Sequence, residues 1–363
     1  MWIYPLLVLG AFAAGLSGQG RPPGLPVTPP PVDHPGLWAQ PLYERPGKGG
    51  GDSGGPSTPA GRQPAVPVDP EIAGPQLAGK DLQTATAKVM TLTWHRSLPA
   101  VLAAAKAADK PVFWLQALGE LDGLASSTLQ SMRGLTLAND VVFARLRDQF
   151  VLGYANIERQ PYVGLSQGYE PDQTAMGATN GSGGRNLQLA ILAADGTVML
   201  ALPGFWHALD LLSTLDLAVE LHRLHGSAEH SHEQKLAMAR SKHETFLKRI
   251  GAGMSARSAW QNRDVVAERD RSDLGMRDTY QRDPAGGPLR NEVGQIELRP
   301  LLQVLHERVG VLRFTAIAAM PWEALVDYGH PQFDANAAME RGRTFSAAAA
   351  NHQRRERERK SSR

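Results

Sequence analysis

Lys110-Pro111-Val112-Phe113-Trp114-Leu115-Gln116-Ala117 is the stretch whose reading decides the fold. It is a short apolar run rich in β-branched and aromatic residues. Its proline, which has no N–H to give a sheet ladder, marks where a strand begins. Outward from it, a second run of the same kind is Phe150-Val151-Leu152-Gly153-Tyr154-Ala155-Asn156-Ile157. Two more, Leu187–Leu192 and Thr197–Leu202, are separated only by Ala193-Ala194-Asp195-Gly196. Asp-Gly between apolar runs signals a hairpin.

Helical periodicity fills the intervals. Ser97 is placed to cap a helix carrying Leu98, Val101, Leu102 and Ala105, which ends before Pro111 because a residue preceding proline disfavours the α conformation. Ser126 or Ser127 caps the next, with Leu129 and Met132 inward and Gly134 as its expected stop. Asn139 caps a third through Val142, Phe143, Leu146 and Phe150. From about His207 a last helix sets Leu211, Leu212, Leu215, Ala218, Val219 and His222 on one face. The order is helix, strand, helix, strand, long loop, hairpin, helix. It predicts an α/β domain with a central sheet flanked by helices.

That order resembles the thioredoxin fold, and particular residues extend the resemblance. Trp94, Ala103-Ala104-Ala105-Lys106 and Lys110-Pro111-Val112 resemble the start of secreted thioredoxin-like domains. Phe150-Val151, the Asp195-Gly196 turn and Leu202-Pro203-Gly204-Phe205-Trp206 fall where that family has its later strands and the loop before its last helix. Thr179 to Gln188 is similar to a segment of uncharacterised secreted bacterial thioredoxin-like proteins. Leu118 to Leu129 is similar to the redox segment of selenoprotein N. The resemblance spans roughly residues 90–225 as a fold, and extends more weakly to about residue 330.

The chemistry departs from the family. Disulfide exchange needs a thiolate at a helix N-terminus and a second thiol to resolve the mixed disulfide. After the Lys110–Ala117 strand stands Leu118-Gly119-Glu120-Leu121-Asp122-Gly123-Leu124-Ala125-Ser126-Ser127, and the chain has no cysteine. The family's cis-proline would fall near Asn186-Leu187, but no proline lies between Pro171 and Pro203. Serine forms no disulfide and needs a partner base to be a nucleophile. The resemblance therefore implies a redox-inactive domain. No cofactor and no catalytic residue is expected.

Composition narrows the classes further. With 363 residues, 42% of them hydrophobic and 20% charged, the chain can bury an ordinary core. Its 38 basic and 36 acidic side chains give a formal charge of +2, too even to call for a nucleic-acid partner. Without cysteine there is no disulfide, iron–sulfur cluster or thiolate zinc site.

Residues 1–18 are expected to be a secretory signal peptide, because Trp2–Leu16 is apolar, ends in small residues and is shorter than the ~20 residues of a membrane span. A single uncleaved anchor is the alternative, and either one implies export to the periplasm, cell surface or medium. Residues 19–82, dominated by proline and glycine, read as a disordered linker tethering the fold to membrane or cell wall. The thioredoxin-like domain is assigned to 83–228, a helical extension to 229–340 and a basic disordered tail to 341–363. Within the extension, Gln261 to Arg282 is dense in charges of both signs and reads as a solvated helix or a mobile segment, not a binding site. Leu301–Val309 reads as an amphipathic helix, and Trp322 as an anchor back onto the domain.

Two function classes follow. In the first, the chain is a scaffold or binding module for an unidentified peptide or protein. The turn Glu120–Ser127 and the loop Thr179–Leu187 would line an open groove, with Asp122, Asn180 and Arg185 at its rim and Tyr162, Tyr169 and Trp206 as aromatic anchors. For Trp206 the alternative is burial in the core. In the second, His222, His225, His230 and His232, with Glu229 and Glu233 beside them, hold a metal ion in a binding protein or a metal-dependent enzyme. His243 reads as a packed core residue.

Overall fold

A computed structural model of the chain describes residues 76–123, 125–158, 160, 175, 178–271, 277–310 and 314–327. The expectations for residues 1–75, for the tail from 341, and for Tyr162 and Tyr169 fall outside these residues.

Five strands form one mixed sheet: β1 Trp94–His95, β2 Val112–Ala117, β3 Val151–Asn156, β4 Leu187–Leu192 and β5 Val198–Pro203. Their order across the sheet is β1-β3-β2-β4-β5. β1 and β2 both run parallel to β3, and β4 runs antiparallel to β2 and to β5. Parallel neighbours need a crossover. Helix α2 (Leu98–Ala108) supplies it between β1 and β2, and helices α3 (Ser127–Ser131) and α4 (Asp140–Gln149) supply it between β2 and β3. β4 and β5 need only the Asp-Gly hairpin, in which Gly196 takes a φ of 85° and Asp195 Oδ1 accepts the Thr197 N–H at 2.9 Å. Every residue of β4 and β5 is buried. Successive side chains point to opposite faces, so both faces of this half of the sheet are covered. β1 has two residues, too few for any alternation, and the apolar runs did not reveal it.

The caps are those the sequence suggests. Ser97 accepts the Ala100 N–H, Ser126 the Leu129 N–H, and Asn139 the N–H groups of Val141 and Val142. Gly134, however, does not stop its helix. The chain continues from Met132 to Leu137 in wider π-type turns. Helix α1 (Gly79–Met90) crosses at this point, and a Cβ on Gly134 would lie 2.6 Å from Leu82 Cδ1. The glycine thus permits a close helix approach. Leu82 is buried, and Leu77 exchanges backbone hydrogen bonds with Ala175. Ordered structure therefore starts ahead of residue 83.

After β5 come α5 (Ala208–Gly226), α6 (His232–Lys248), α7 (Ala252–Arg257), α8 (Asn262–Arg269), α9 (Leu301–Gly310) and α10 (Trp322–Leu325). A capping box between Ser231 and Gln234 opens α6. These helices share the sheet's core, which takes in Ala239, Leu301, Leu302, Leu305 and Trp322.

The expectation that Gln261 to Arg282 is solvated needs correction. Glu268 is fully buried and accepts hydrogen bonds from Arg277 and Thr279. Arg277 also holds Asp327 at 2.6 Å, and Arg308 grips Asp278 with two bonds of 2.7 and 2.8 Å. Burial opposes charge on Arg277, but Asp327 and Glu268 outweigh it and raise its pKa. Burial likewise opposes ionisation of Asp278 and Asp327, yet Arg308 and Arg277 respectively hold them below the usual carboxylate range.

Between α8 and α9 the chain makes two similar loops, Arg282-Asp283-Pro284-Ala285-Gly286 and Arg290-Asn291-Glu292-Val293-Gly294. In each, the Asp or Asn Oδ1 accepts two backbone N–H groups, and the arginine donates to the glycine carbonyl. Gln281, Leu289 and Glu297 close a ring of backbone hydrogen bonds, each 2.9 Å, at the base of the loops.

One strand residue is out of keeping with its surroundings. Gln188 lies opposite Gln116 in the centre of the sheet, is fully buried, and has no partner among the described residues for its Oε1 or Nε2. A buried, unsatisfied polar group costs about 1–3 kcal/mol. Gln188→Leu is therefore expected to raise unfolding free energy by about 1 kcal/mol, read as a higher urea midpoint at unchanged slope. A lower midpoint would mean that the amide is engaged.

Candidate functional site

The loop after β2, where the resemblance would put a redox site, is closed on itself. Gly119 pairs with Ala125, and the Ser126 N–H returns to the Leu118 carbonyl at 3.0 Å. Arg133, 2% exposed, reaches back from the helix, and its Nη1 donates to the carbonyls of Glu120, Leu121 and Gly123 at 3.2, 2.9 and 2.9 Å. The Tyr154 hydroxyl donates to the Gly119 carbonyl. Burial lowers the Arg133 pKa, against the pull of Tyr154 and Asp122, and burial raises that of Tyr154, which stays a neutral donor. Ser126 is spent as the cap of α3. The result is a loop pinned by a buried cation.

The two segments expected to line a groove do meet. The Leu118 N–H donates to the Asn186 carbonyl at 2.8 Å, and a Cβ on Gly183 would fall 2.2 Å from Thr128 Oγ1. They meet too closely to leave a groove between them, and α9 covers the turn with Leu301 and Leu305 against Gly181. Asn180 is fully buried, not at a rim. Trp206 is also fully buried, its Nε1 donating to the Pro203 carbonyl. Arg185 is partly buried, 4.0 Å from Asp327. Of the described members of the set only Asp122 is exposed, with Arg96 at 3.8 Å. At the described residues the two segments form a packed seam under the C-terminal helices, with Asn180 and Trp206 inside it and not at a rim.

The four histidines of the metal reading are not brought together. His225 Nε2 sits 3.1 Å from Asp195 Oδ2, beside Phe314. Burial lowers the pKa of His222, while Asp109 and Asp195 oppose that. His230 lies in the α5–α6 connection and His232 begins α6. Among the described residues, no three His, Asp or Glu side chains converge as metal ligands.

What the structure assembles instead is a polar knot at the foot of a cleft. Asn180 Oδ1 accepts the His207 N–H at 2.8 Å and so caps α5 from a distance. Its Nδ2 donates to Asp210 Oδ2 and Ser258 Oγ, both at 2.8 Å. Asp210, 2% exposed, receives a two-pronged grip from Arg257 at 2.6 and 2.9 Å. The Asn180 N–H donates to the Arg257 carbonyl at 2.7 Å, which satisfies the end of α7. Together these bonds fix the N-terminus of α5 against the C-terminus of α7.

Above the knot, α5, α6 and α7 enclose a cleft of about 820 Å³. Leu209, Ser213, Asp216, Leu217 and Glu220 of α5 form one wall, and Lys242, Thr245, Phe246 and Arg249 the other. Their charges are mostly spoken for: Glu220 pairs with Lys242 at 2.7 Å, and Asp216 with Arg145. Arg249 is exposed and pairs with no carboxylate among the described residues. Leu209 is 66% exposed, an unusual cost at the start of a helix whose other leucines are mostly buried.

The chain matches no protein-family model, no curated protein and no solved structure. Function is therefore read from the site's own chemistry. This site is not legible in the sequence because Asn180, Asp210, Arg257 and Ser258 are brought together from separations of up to 78 residues. The signal the sequence does carry is acidic Asp210 in the first turn of α5, preceded by an apolar Leu209 that is not among the residues of the helix's apolar face.

Proposed function

We propose that the chain is a redox-inactive, thioredoxin-like binding or scaffold protein that holds a peptide or a segment of a partner protein in the α5–α6–α7 cleft. The observation that carries the reading is the cleft itself, with exposed Leu209 and Arg249 on a frame locked by the Asp210–Arg257 pair. An apolar side chain of the guest lies against Leu209 and Phe246, and an acidic group meets Arg249. A parallel crossover followed by an antiparallel hairpin supports the thioredoxin-like side of the proposal, as does the thiol-free loop closed by Arg133. Export, with the proline- and glycine-rich segment as a tether, follows from the apolar Trp2–Leu16.

The test is selection from a displayed peptide library on the full chain. Peptides combining apolar and acidic residues are expected to be enriched, and to bind about tenfold more weakly to Leu209→Asp and to Arg249→Glu, which is about 1.4 kcal/mol per substitution. Enrichment of nothing, or of peptides indifferent to both substitutions, would overturn the proposal.

A further inference from the structure

His243 of α6 and His306 of α9 face each other inside the core, ring centroids 5.8 Å apart. His306 is 2% exposed and His243 7%. Neither nitrogen of His306, nor Nδ1 of His243, has a hydrogen-bond partner among the described residues. Phe246 stacks on His306 with ring centroids 4.8 Å apart, and the Trp206 ring is T-shaped to it with centroids 6.4 Å apart. Two imidazoles in an apolar slot are tolerated while neutral; adding a proton to either buries an uncompensated charge. Phe246 also lines the cleft, so α6 is at once the wall of the site and one half of this pair.

We infer that the His243–His306 pair is an acid-operated latch: while both rings are neutral α6 lies closed on α9 and the core, and protonation releases α6 and loosens the cleft wall it forms. As regulation of the cleft, this rests on the binding reading above; as a conformational device, it stands on the pair alone.

Among the described residues, no carboxylate pairs with either ring to neutralise the protonated state. His306 has only His243 acting on it, in the direction that lowers its pKa, besides burial. Burial lowers the pKa of His243. On α9, Glu307 is taken by Arg299 and Arg308 by Asp278. On α6, Lys242 is taken by Glu220 of α5, and Arg240, Glu244 and Lys248 are exposed. On α5, His222 and His225 are coupled to Asp195. On α10, Glu323 is exposed. β5 and the turn after it contribute Trp206 and no charge.

The direction follows by linkage. Burial pushes His243 down to about 4 and His306 down to about 3, below the ordinary histidine value. The stabilisation of the closed form is complete above about pH 6.5 and is lost as the pH falls towards the depressed values, about tenfold per pH unit for each histidine. Asp278 and Asp327 are held below the usual carboxylate range, so these two carboxylates remain charged across that window.

The experiment is hydrogen exchange of the full chain from about pH 7 to about pH 4.5, corrected for intrinsic rates, with the double variant His243→Leu/His306→Phe alongside. Protection in α6 and α9 is expected to fall by up to about a hundredfold per pH unit in the parent, while β2 and β3 hold. In the double variant that fall is absent. If the variant does not fold, imidazole proton shifts of the parent decide: the two rings should remain neutral until α6 loses protection. Flat protection of α6 and α9 down to about pH 4.5, an equal fall in the variant, or free titration near 6.5 without loss of protection would each overturn the latch. No peptide is used, so failure here leaves the binding reading intact, and failure of peptide selection leaves the latch intact.

Discussion

Glu268→Ala is expected to lower the unfolding free energy by about 3–5 kcal/mol, the range for breaking a buried ion pair from one side. Glu268 is 0% exposed; its Oε1 takes Arg277 Nη2 at 2.8 Å and its Oε2 takes Thr279 Oγ1 at 2.7 Å. Removing the carboxylate leaves Arg277, whose side chain is 8% exposed, with Asp327 alone to balance it. It also leaves the Thr279 hydroxyl unpaired. Arg277→Met should cost a similar amount, and the double substitution less than the sum, since each single change strands the other's charge. Denaturant unfolding followed by tryptophan fluorescence measures all three. Removing the carboxylate of the exposed Arg147–Asp148 pair should leave the midpoint where it is. A Glu268→Ala midpoint that also stays in place would mean that the network contributes no more than a surface pair does.

The second large effect belongs to Gly204. Its φ is +83°, and a Cβ there would lie 2.3 Å from both the carbonyl carbon and the oxygen of Gly181 and 2.7 Å from the Ser182 oxygen. Those are backbone atoms, and they are fixed: the Gly181 N–H donates to the Phe205 carbonyl at 2.7 Å, and the Phe205 N–H to the Ser182 carbonyl at 2.8 Å. The left-handed conformation costs an L-residue about 1–2 kcal/mol, and forcing the backbones apart adds about 1–3 kcal/mol. Gly204→Ala should therefore lose about 3–5 kcal/mol and weaken the whole seam between β5 and the Asn180 turn. Gly226→Ala is the control of opposite sign: a Cβ there meets nothing within 4 Å, and in the last turn of α5 alanine should gain a few tenths to about 1 kcal/mol. If both glycine variants unfold at the same denaturant concentration, the close approach at Gly204 is not what fixes the seam.

Much of the framework was legible because it depends on neighbours in sequence. The Val112–Ala117 run, the Asp195-Gly196 turn and the caps at Ser97, Ser126 and Asn139 act within a few residues, and each is found where its chemistry requires. Where local signals misled, a remote partner had intervened. Gly134 looked like a helix stop because glycine is a poor helix former, but the crossing of α1 at Leu82 makes it the residue that fits. Gln261 to Arg282 looked solvated because charges normally are, but Asp327, up to 56 residues away, arrives to balance the arginines.

The candidate site divides the same way. That this chain performs no thiol chemistry was settled by sequence alone, since no fold can supply an atom that the chain lacks. Whether the seam between Glu120–Ser127 and Thr179–Leu187 is open was not, because burial of a polar residue is decided by whether distant groups satisfy it. Asn180 in isolation reads as a loop residue facing water. Only the folded chain places Asp210, Ser258 and the His207 N–H within 2.8 Å of its amide, which makes burial favourable and turns a presumed rim into a knot. The same packing leaves Leu209 outside and opens the cleft between α5 and α6, a shape that exists only in the tertiary structure because its walls come from α5 and α6 and its foot joins α5 to the Asn180 turn and the end of α7.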